Sequence, residues 1–257
     1  MTDKQGYIAV FDSGVGGISV LKRLMKLMPG ERYLYFGDSA NAPYGDRPEE
    51  EILALTVAAV QHILTRPVKA LVIACNTATA VAVDHLRLTY PQIPIIGIEP
   101  AIKPAADSYP CGKVGVLGTT ATLESRRFHA LLSRHLDRCD FVPIPVPMLA
   151  PLVEEGLGNS RKAYKMLDKI LKPYANQLDA LVLGCTHYPF ATASIRACVG
   201  NLPLLDGGIG TAAHVRRILS ARGLLEEGPG ALLWENSSPD PRILEICRNL
   251  LSQPLED

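Results

Sequence analysis

Two stretches of this chain read almost alike. Ala70-Leu71-Val72-Ile73-Ala74-Cys75-Asn76-Thr77 and Ala180-Leu181-Val182-Leu183-Gly184-Cys185-Thr186-His187 are each a short apolar run ending in a cysteine and polar residues. An unbroken apolar run of this length, flanked by helical patterns, predicts a strand buried on both faces of a parallel sheet. The cysteine then falls at the strand's carboxyl end, where open parallel sheets place their ligand crevice. Cys185 follows Cys75 by 110 residues. Ile8-Ala9-Val10-Phe11-Asp12-Ser13 matches Val114-Gly115-Val116-Leu117-Gly118-Thr119 at a shift of 106, and Pro94-Ile95-Ile96-Gly97 matches Pro203-Leu204-Leu205-Asp206 at 109. Strand-and-loop units recurring in one order over a domain-sized period predict two similar α/β lobes related by duplication.

The composition supports an ordinary globular protein. A chain of 257 residues, 47 % hydrophobic and 20 % charged, has room for one large or two small cores. Lys plus Arg balances Asp plus Glu at 26 each, which gives no support for nucleic acid or a membrane surface as partner. The apolar stretch from Leu53 to Leu64 is broken by Thr56, Gln61 and His62 and is too short to span a bilayer. Met1-Thr2-Asp3-Lys4-Gln5 is not the pattern of a secretory signal. The cysteines at 75, 111, 139, 185, 198 and 247 form no CxxC pair, so neither a zinc knuckle nor a disulfide framework is expected. Scattered thiols fit a reducing cytoplasm.

Taken in order, Tyr7–Phe11 is a strand and Asp12-Ser13-Gly14-Val15-Gly16-Gly17 the turn after it. A helix follows with Ile18, Leu21, Leu24, Met25 and Met28 on its apolar face, ended by Pro29-Gly30. The turn is a poor dinucleotide fingerprint, because position 19 is Ser where Gly or Ala is needed and Asp12 would repel a pyrophosphate. Its glycines are otherwise read as letting strand and helix pack closely. Strand Tyr33–Phe36 opens into a long polar loop over 37–48, of a length that is often functional. The pattern then predicts helix Glu49–Arg66, strand Ala70–Ala74, a helix from about Ala78 to Tyr90 and strand Ile93–Ile98. The second lobe has strand Lys113–Leu117, one helix carrying Leu123, Arg127, Leu131 and His135, and strand Phe141–Ile144. A short helix ends at Gly156, a longer one covers Ser160–Tyr174, and Pro189 suits a first helical turn after Cys185. A helix Thr211–Arg222, a strand Ala231–Glu235 and a helix Arg242–Leu251 complete the chain, the last two having no counterpart in the repeat. They are expected to return to the first lobe. The expected division is residues 1–99 plus 208–257 against 100–207.

A buried cysteine is usually a small hydrophobe, and Cys111, Cys139, Cys198 and Cys247 are read that way. Cys75 and Cys185 differ, since each precedes a helix among polar neighbours, and a helix N-terminus draws a thiol's pKa down from about 8.5. One activated thiol with His187 as base would fit acyl transfer or hydrolysis. Two equivalent thiols facing one cleft fit a different reaction, in which a planar carbanion loses its proton to one face and gains it from the other. A non-catalytic binder of a small amino acid would need the lobes but not both thiols. An amino-acid substrate would find carboxylate donors at the helix N-termini after Ser13, Cys75 and Cys185, with Asp12 for its ammonium. No cofactor motif and no evident pyridoxal-phosphate lysine accompanies these residues.

Asp12-Ser13-Gly14-Val15-Gly16-Gly17, Gly37-Asp38 with Pro43-Tyr44-Gly45, Ala74-Cys75-Asn76-Thr77-Ala78, Leu152-Val153-Glu154 and Gly184-Cys185-Thr186-His187-Tyr188-Pro189 closely resemble the cofactor-independent glutamate racemases. The likeness covers nearly the whole chain in order. It implies a two-base racemase supplying D-glutamate for peptidoglycan, with Cys75 and Cys185 as the bases and Asp12, Glu154 and His187 assisting. It also implies substrate contacts at Asp12, Ser13, Tyr44, Gly45, Asn76, Thr77, Thr186 and His187. The related aspartate racemases usually carry Glu in place of His187, so glutamate is the expected small-molecule partner. The residues leave the oligomeric form open, a homodimer being the assembly considered. One departure is Asp206-Gly207-Gly208, where the resemblance leads one to expect Asp-Ser-Gly.

Overall fold

Each repeated apolar run is a strand, and the two sets of strands form two sheets. The computed structural model describes residues 4–256, so residues 1–3 of the N-terminal lead-in and residue 257 lie outside the described residues. In chain order the first strands are β1 (Tyr7–Asp12), β2 (Arg32–Gly37), β3 (Val68–Ile73) and β4 (Ile95–Gly97). They are followed by β5 (Lys113–Gly118), β6 (Asp140–Pro145), β7 (Ala180–Leu183), β8 (Leu204–Asp206) and β9 (Ala231–Asn236). One sheet runs β4-β3-β1-β2-β9 and the other β6-β5-β7-β8, with every pairing parallel. Setting β9 aside, the two orders are the same when each strand is replaced by its repeat equivalent. Sequence duplication and topology agree.

The helices of the first lobe are α1 (Ile18–Leu27), α2 (Glu49–Ile63) and α3 (Asn76–Thr89). Those of the second are α4 (Ile102–Ser108), α5 (Thr120–Glu124), α6 (Arg126–Ser133), α7 (Leu149–Glu154), α8 (Arg161–Leu171) and α9 (Thr192–Val199). The tail adds α10 (Gly208–Ala221) and α11 (Pro241–Ser252). Both faces of each sheet are covered. Ile8 and Val10 face a core that continues into Leu117, Ile144 and Leu181 of the second sheet, while Ala9 and Phe11 face a separate core with α2 and α3. This two-sided burial is why the strands read as unbroken apolar runs.

Besides end shifts of one to three residues, as in α2, β4, α8 and α10, three elements differ from the sequence reading. The helix after Cys75 begins at Asn76, because Cys75 itself caps it, its Sγ accepting from Ala78 N–H at 3.4 Å. The helix assigned around 123–135 is two, broken at Ser125, whose backbone is extended and whose Oγ accepts from Phe128 N–H at 3.1 Å to start α6. His135 lies beyond its end. Helix α4 was not read from the sequence; its seven residues are too few for a clear period.

The tail is tied to the first sheet. Strand β9 pairs with β2 from Arg32↔Ala231 to Gly37↔Asn236, and Trp234 meets Tyr35 edge-on at 5.4 Å between centroids. Lys69 of β3 is fully buried, paired with Glu31 and donating to Leu224 O at 2.9 Å. The chain passes between the sheets after β4 and returns after β8, and the passages touch. A Cβ at Gly207 would lie 2.1 Å from the Glu99 carbonyl oxygen, so this close approach needs glycine where the resemblance expects serine.

Candidate active site

The carboxyl ends of both sheets open on one cavity of about 260 Å³. Ten of the residues singled out by the sequence line it: Ser13, Tyr44, Gly45, Cys75, Asn76, Thr77, Glu154, Cys185, Thr186 and His187. Asp12 does not. It is fully buried behind the wall, its Oδ1 accepting from Gly14 N–H at 2.9 Å and its Oδ2 from the Thr186 hydroxyl at 3.0 Å. Burial raises its carboxyl above the usual range, opposed by the nearby His187 charge.

The two thiols reach the cavity from different lobes and meet different surroundings. Cys75 ends the β3 turn, 6 % exposed, with Ser13 Oγ at 3.3 Å from its sulfur. The sequence predicts a lowered pKa here, and the structure reverses that. Burial, then the Asp12 charge, pushes the thiol up to about 11, outweighing the hydrogen bonds from Ser13 and the α3 N-terminus. Cys185, 9 % exposed, lies 3.6 Å from His187 Nδ1. On the other side of the ring, Nε2 is 2.6 Å from Glu154 Oε1, which also accepts from Val15 N–H at 2.8 Å. Burial works against a charged imidazole, but the bonds to Cys185 and Glu154 outweigh it and hold His187 protonated well above its ordinary pKa. Cys185 therefore has a cation at its side and Cys75 an anion behind it.

The remaining cysteines do not all fit the buried reading given to them. Cys139 and Cys247 are buried, Cys198 is half-buried and Cys111 is exposed. Cys111 sits in a left-handed turn, φ +61°, before β5, which turns it outward rather than into the second lobe's core.

The long 37–48 loop is held by Asp38, which accepts from the Tyr44 hydroxyl at 2.6 Å and from Asn41 Nδ2 at 3.0 Å. Tyr44 and Gly45 are thereby set on the cavity wall. Asn76, the first residue of α3, has a buried Oδ1 with no hydrogen-bond partner among the described residues. Two hydroxyls were missed by the sequence reading. Thr119 and Thr122 line the cavity from the second lobe and close a triangle with Thr77, at 3.1, 3.1 and 2.9 Å. The signal for Thr119 was present: it is the repeat equivalent of Ser13, and a doubled site calls for both. Among the described lining residues there is no Lys or Arg, so the donors available to a bound carboxylate are hydroxyls, backbone N–H groups, the Asn76 side-chain amide and the His187 ring.

Comparison with known proteins agrees with the motifs. Residues 17–218 match the family model for Asp/Glu/hydantoin racemases. The chain is 40 % identical over 255 residues to the glutamate racemase of Clostridium botulinum, covering 98 % of this chain and 99 % of that one. Among solved structures, a glutamate racemase isoform of Bacillus anthracis superposes with a TM-score of 0.89 at 30 % identity, covering 98 % of this chain and 96 % of that one. The glutamate racemase of Francisella tularensis, solved in complex with D-glutamate, gives 0.86 at 26 % identity, with 98 % and 95 % covered.

Proposed function

The chain belongs to the Asp/Glu/hydantoin racemase family, and from that premise we propose that it interconverts L- and D-glutamate by proton transfer between Cys75 and Cys185. The observation that carries this reading is that the two thiols line one cavity from opposite lobes. One thiolate takes the Cα proton, and the electron pair left by the C–H bond spreads into the carboxylate. The opposite thiol then gives its own proton to the other face of the planar carbon. Each turnover leaves the first sulfur protonated and the second anionic, so the total proton count is conserved.

By resemblance to the family, Cys185 is the base and Cys75 the donor for L-glutamate, and a protonated Cys75 opposite a Cys185 beside the His187 cation suits that direction. For D-glutamate the roles exchange. Ser13, Asn76, Thr77 and the α3 N-terminus are assigned to the substrate carboxylate, where negative charge develops as the proton leaves. Tyr44, Gly45, Thr186 and His187 complete the proposed contacts, and Asp12 acts through Thr186 and the Gly14 turn. The proposed lobe boundaries lie at the two passages, 99/100 and 207/208. Peptidoglycan supply rests on the resemblance, a cytoplasmic location on the scattered thiols, and a homodimer is the assembly considered; among the described residues no helix is long and apolar enough to cross a membrane.

A thiol hydrolase built on Cys185, His187 and Glu154 would leave Cys75 without a role. Polarimetry on L-glutamate separates the two readings, since a hydrolase leaves its rotation unchanged. Substrate choice is tested with aspartate, for which a kcat/KM comparable to that of glutamate would overturn the assignment. The division of labour is read by proton NMR in D₂O. Cys75→Ala should lose racemisation in both directions and retain, at most, Cα–H exchange on L-glutamate, and Cys185→Ala the mirror image. Racemisation by Cys75→Ala at a near wild-type rate refutes the two-thiol mechanism.

A further inference from the structure

The glycine turn Gly14-Val15-Gly16-Gly17 after β1 binds no phosphate in the reading above, and strand–helix packing accounts for only part of it. At Gly17 a Cβ would meet Asp12 Cβ at 2.6 Å and Ala74 Cβ at 3.1 Å, both in its own lobe, so here glycine serves strand–helix packing too close for a side chain. The other two glycines face the second lobe. A Cβ at Gly14 would lie 2.0 Å from Glu154 Oε1. At Gly16 it would lie 2.3 Å from His187 Nδ1 and 2.7 Å from its Cγ. Neither is among the glycines with positive φ, so the backbone at both positions accepts alanine and only the crossing side chains exclude it.

We propose that the Gly14-Val15-Gly16 turn of the first lobe is a positioning device for Cys185 of the second, shaped to admit Glu154 and His187 and to hold them in line with that sulfur. This inference rests on the reading of Cys185 as a base assisted by His187. Val15 N–H fixes Glu154 Oε1, the oxygen that meets His187 Nε2. Ser19 Oγ is 2.9 Å from both Gly16 O and Thr186 O, tying the turn to the backbone just before His187. The Tyr35 hydroxyl donates to Gly14 O at 2.8 Å and braces the turn from behind. A methyl at Gly14 would meet the end of a flexible carboxylate that can swing aside. A methyl at Gly16 meets the imidazole near its root, against the nitrogen that faces Cys185, so the whole ring must move. Cys75 has no part in this contact. Its neighbours are Ser13 and the start of α3. The turn therefore serves one half of the reaction.

Gly16→Ala is the test, made in three backgrounds. Added to Cys75→Ala, it should cut Cα–H exchange on L-glutamate by about 100-fold, the cost of an ångström of misplacement in a reacting pair. Added to Cys185→Ala, it should leave kcat for exchange on D-glutamate unchanged and show only in KM, through the displaced His187 contact to substrate. Equal losses in the two backgrounds overturn the proposal. The third background needs no activity. Gly16→Ala should lower the melting temperature of the otherwise native protein but not that of His187→Ala, where the ring is gone. If Gly16→Ala alone does not fold, the double variant with His187→Ala still must. An equal cost in both, or failure of both to fold, overturns the contact on which the proposal stands. Failure of the functional reading shows separately, as absence of racemisation by the unmodified protein.

Discussion

Alkylation by iodoacetamide reads the state of Cys75 directly, because the thiolate is the species that reacts. Raising the pKa from 9.0 to about 11 makes the thiolate about 100-fold scarcer at neutral pH. The anion of a weaker acid is more nucleophilic, and a Brønsted slope of about 0.4–0.5 returns roughly 6- to 10-fold of that loss. Cys75 should therefore react about 10- to 15-fold more slowly than a free thiol of ordinary pKa, before any cost of access to a sulfur 6 % exposed. The sign with pH is fixed by the same shift. Labelling should climb about tenfold per pH unit and level only near 11, as the thiol ionises. Two substitutions should move it in opposite directions. Asp12→Asn removes the charge that raises the pKa and should speed labelling, whereas Ser13→Ala removes a bond that lowers it and should slow labelling. The assay is a time course of peptide mass spectrometry with a small thiol as reference in the same tube. Labelling of Cys75 as fast as the reference at neutral pH, or a profile level by about pH 9, refutes the burial argument.

Exposed Cys111 should be labelled before either cavity thiol, with activity retained at that point; early activity loss tracking Cys75 or Cys185 would contradict it. Glu154→Gln keeps the shape of the carboxylate but removes its charge, so NMR titration of the His187 ring should show its pKa moved down toward the ordinary value; an unmoved titration rejects the pairing. Lys69→Met leaves Glu31 buried without its cation, and urea unfolding should show a loss of about 3–5 kcal/mol. A change no larger than that of a surface pair would refute this. Tyr44→Phe should cost about 1–3 kcal/mol by leaving Asp38 short of a buried donor, and KM for glutamate should rise as the 37–48 loop loosens; unchanged stability and KM reject the role given to Asp38.

Much of this protein was legible without coordinates because its information is repeated. Apolar runs buried on both faces are read from composition alone, and finding them twice in the same order predicts both sheets and the thiols at their ends. The same doubling held Thr119, the partner of Ser13, although the motifs alone passed over it. Local signals also marked Pro189 at its turn and the end of α1 at Pro29-Gly30. What depends on which groups meet across a hundred residues was decided only by the tertiary structure. A helix N-terminus lowers a thiol's pKa, yet at Cys75 burial and the carboxylate of Asp12 outweigh it. Asp12, placed by sequence where a ligand could touch it, is turned inward because Gly14 N–H and the Thr186 hydroxyl take both its oxygens. The glycines at 14 and 16 read as letting strand and helix pack closely, and only the other lobe explains them, since a Cβ at either would strike Glu154 or His187. Period and composition describe how one segment buries its own surface. Desolvation, charge and steric exclusion at this site belong to pairs of segments, and the fold alone brings those pairs together.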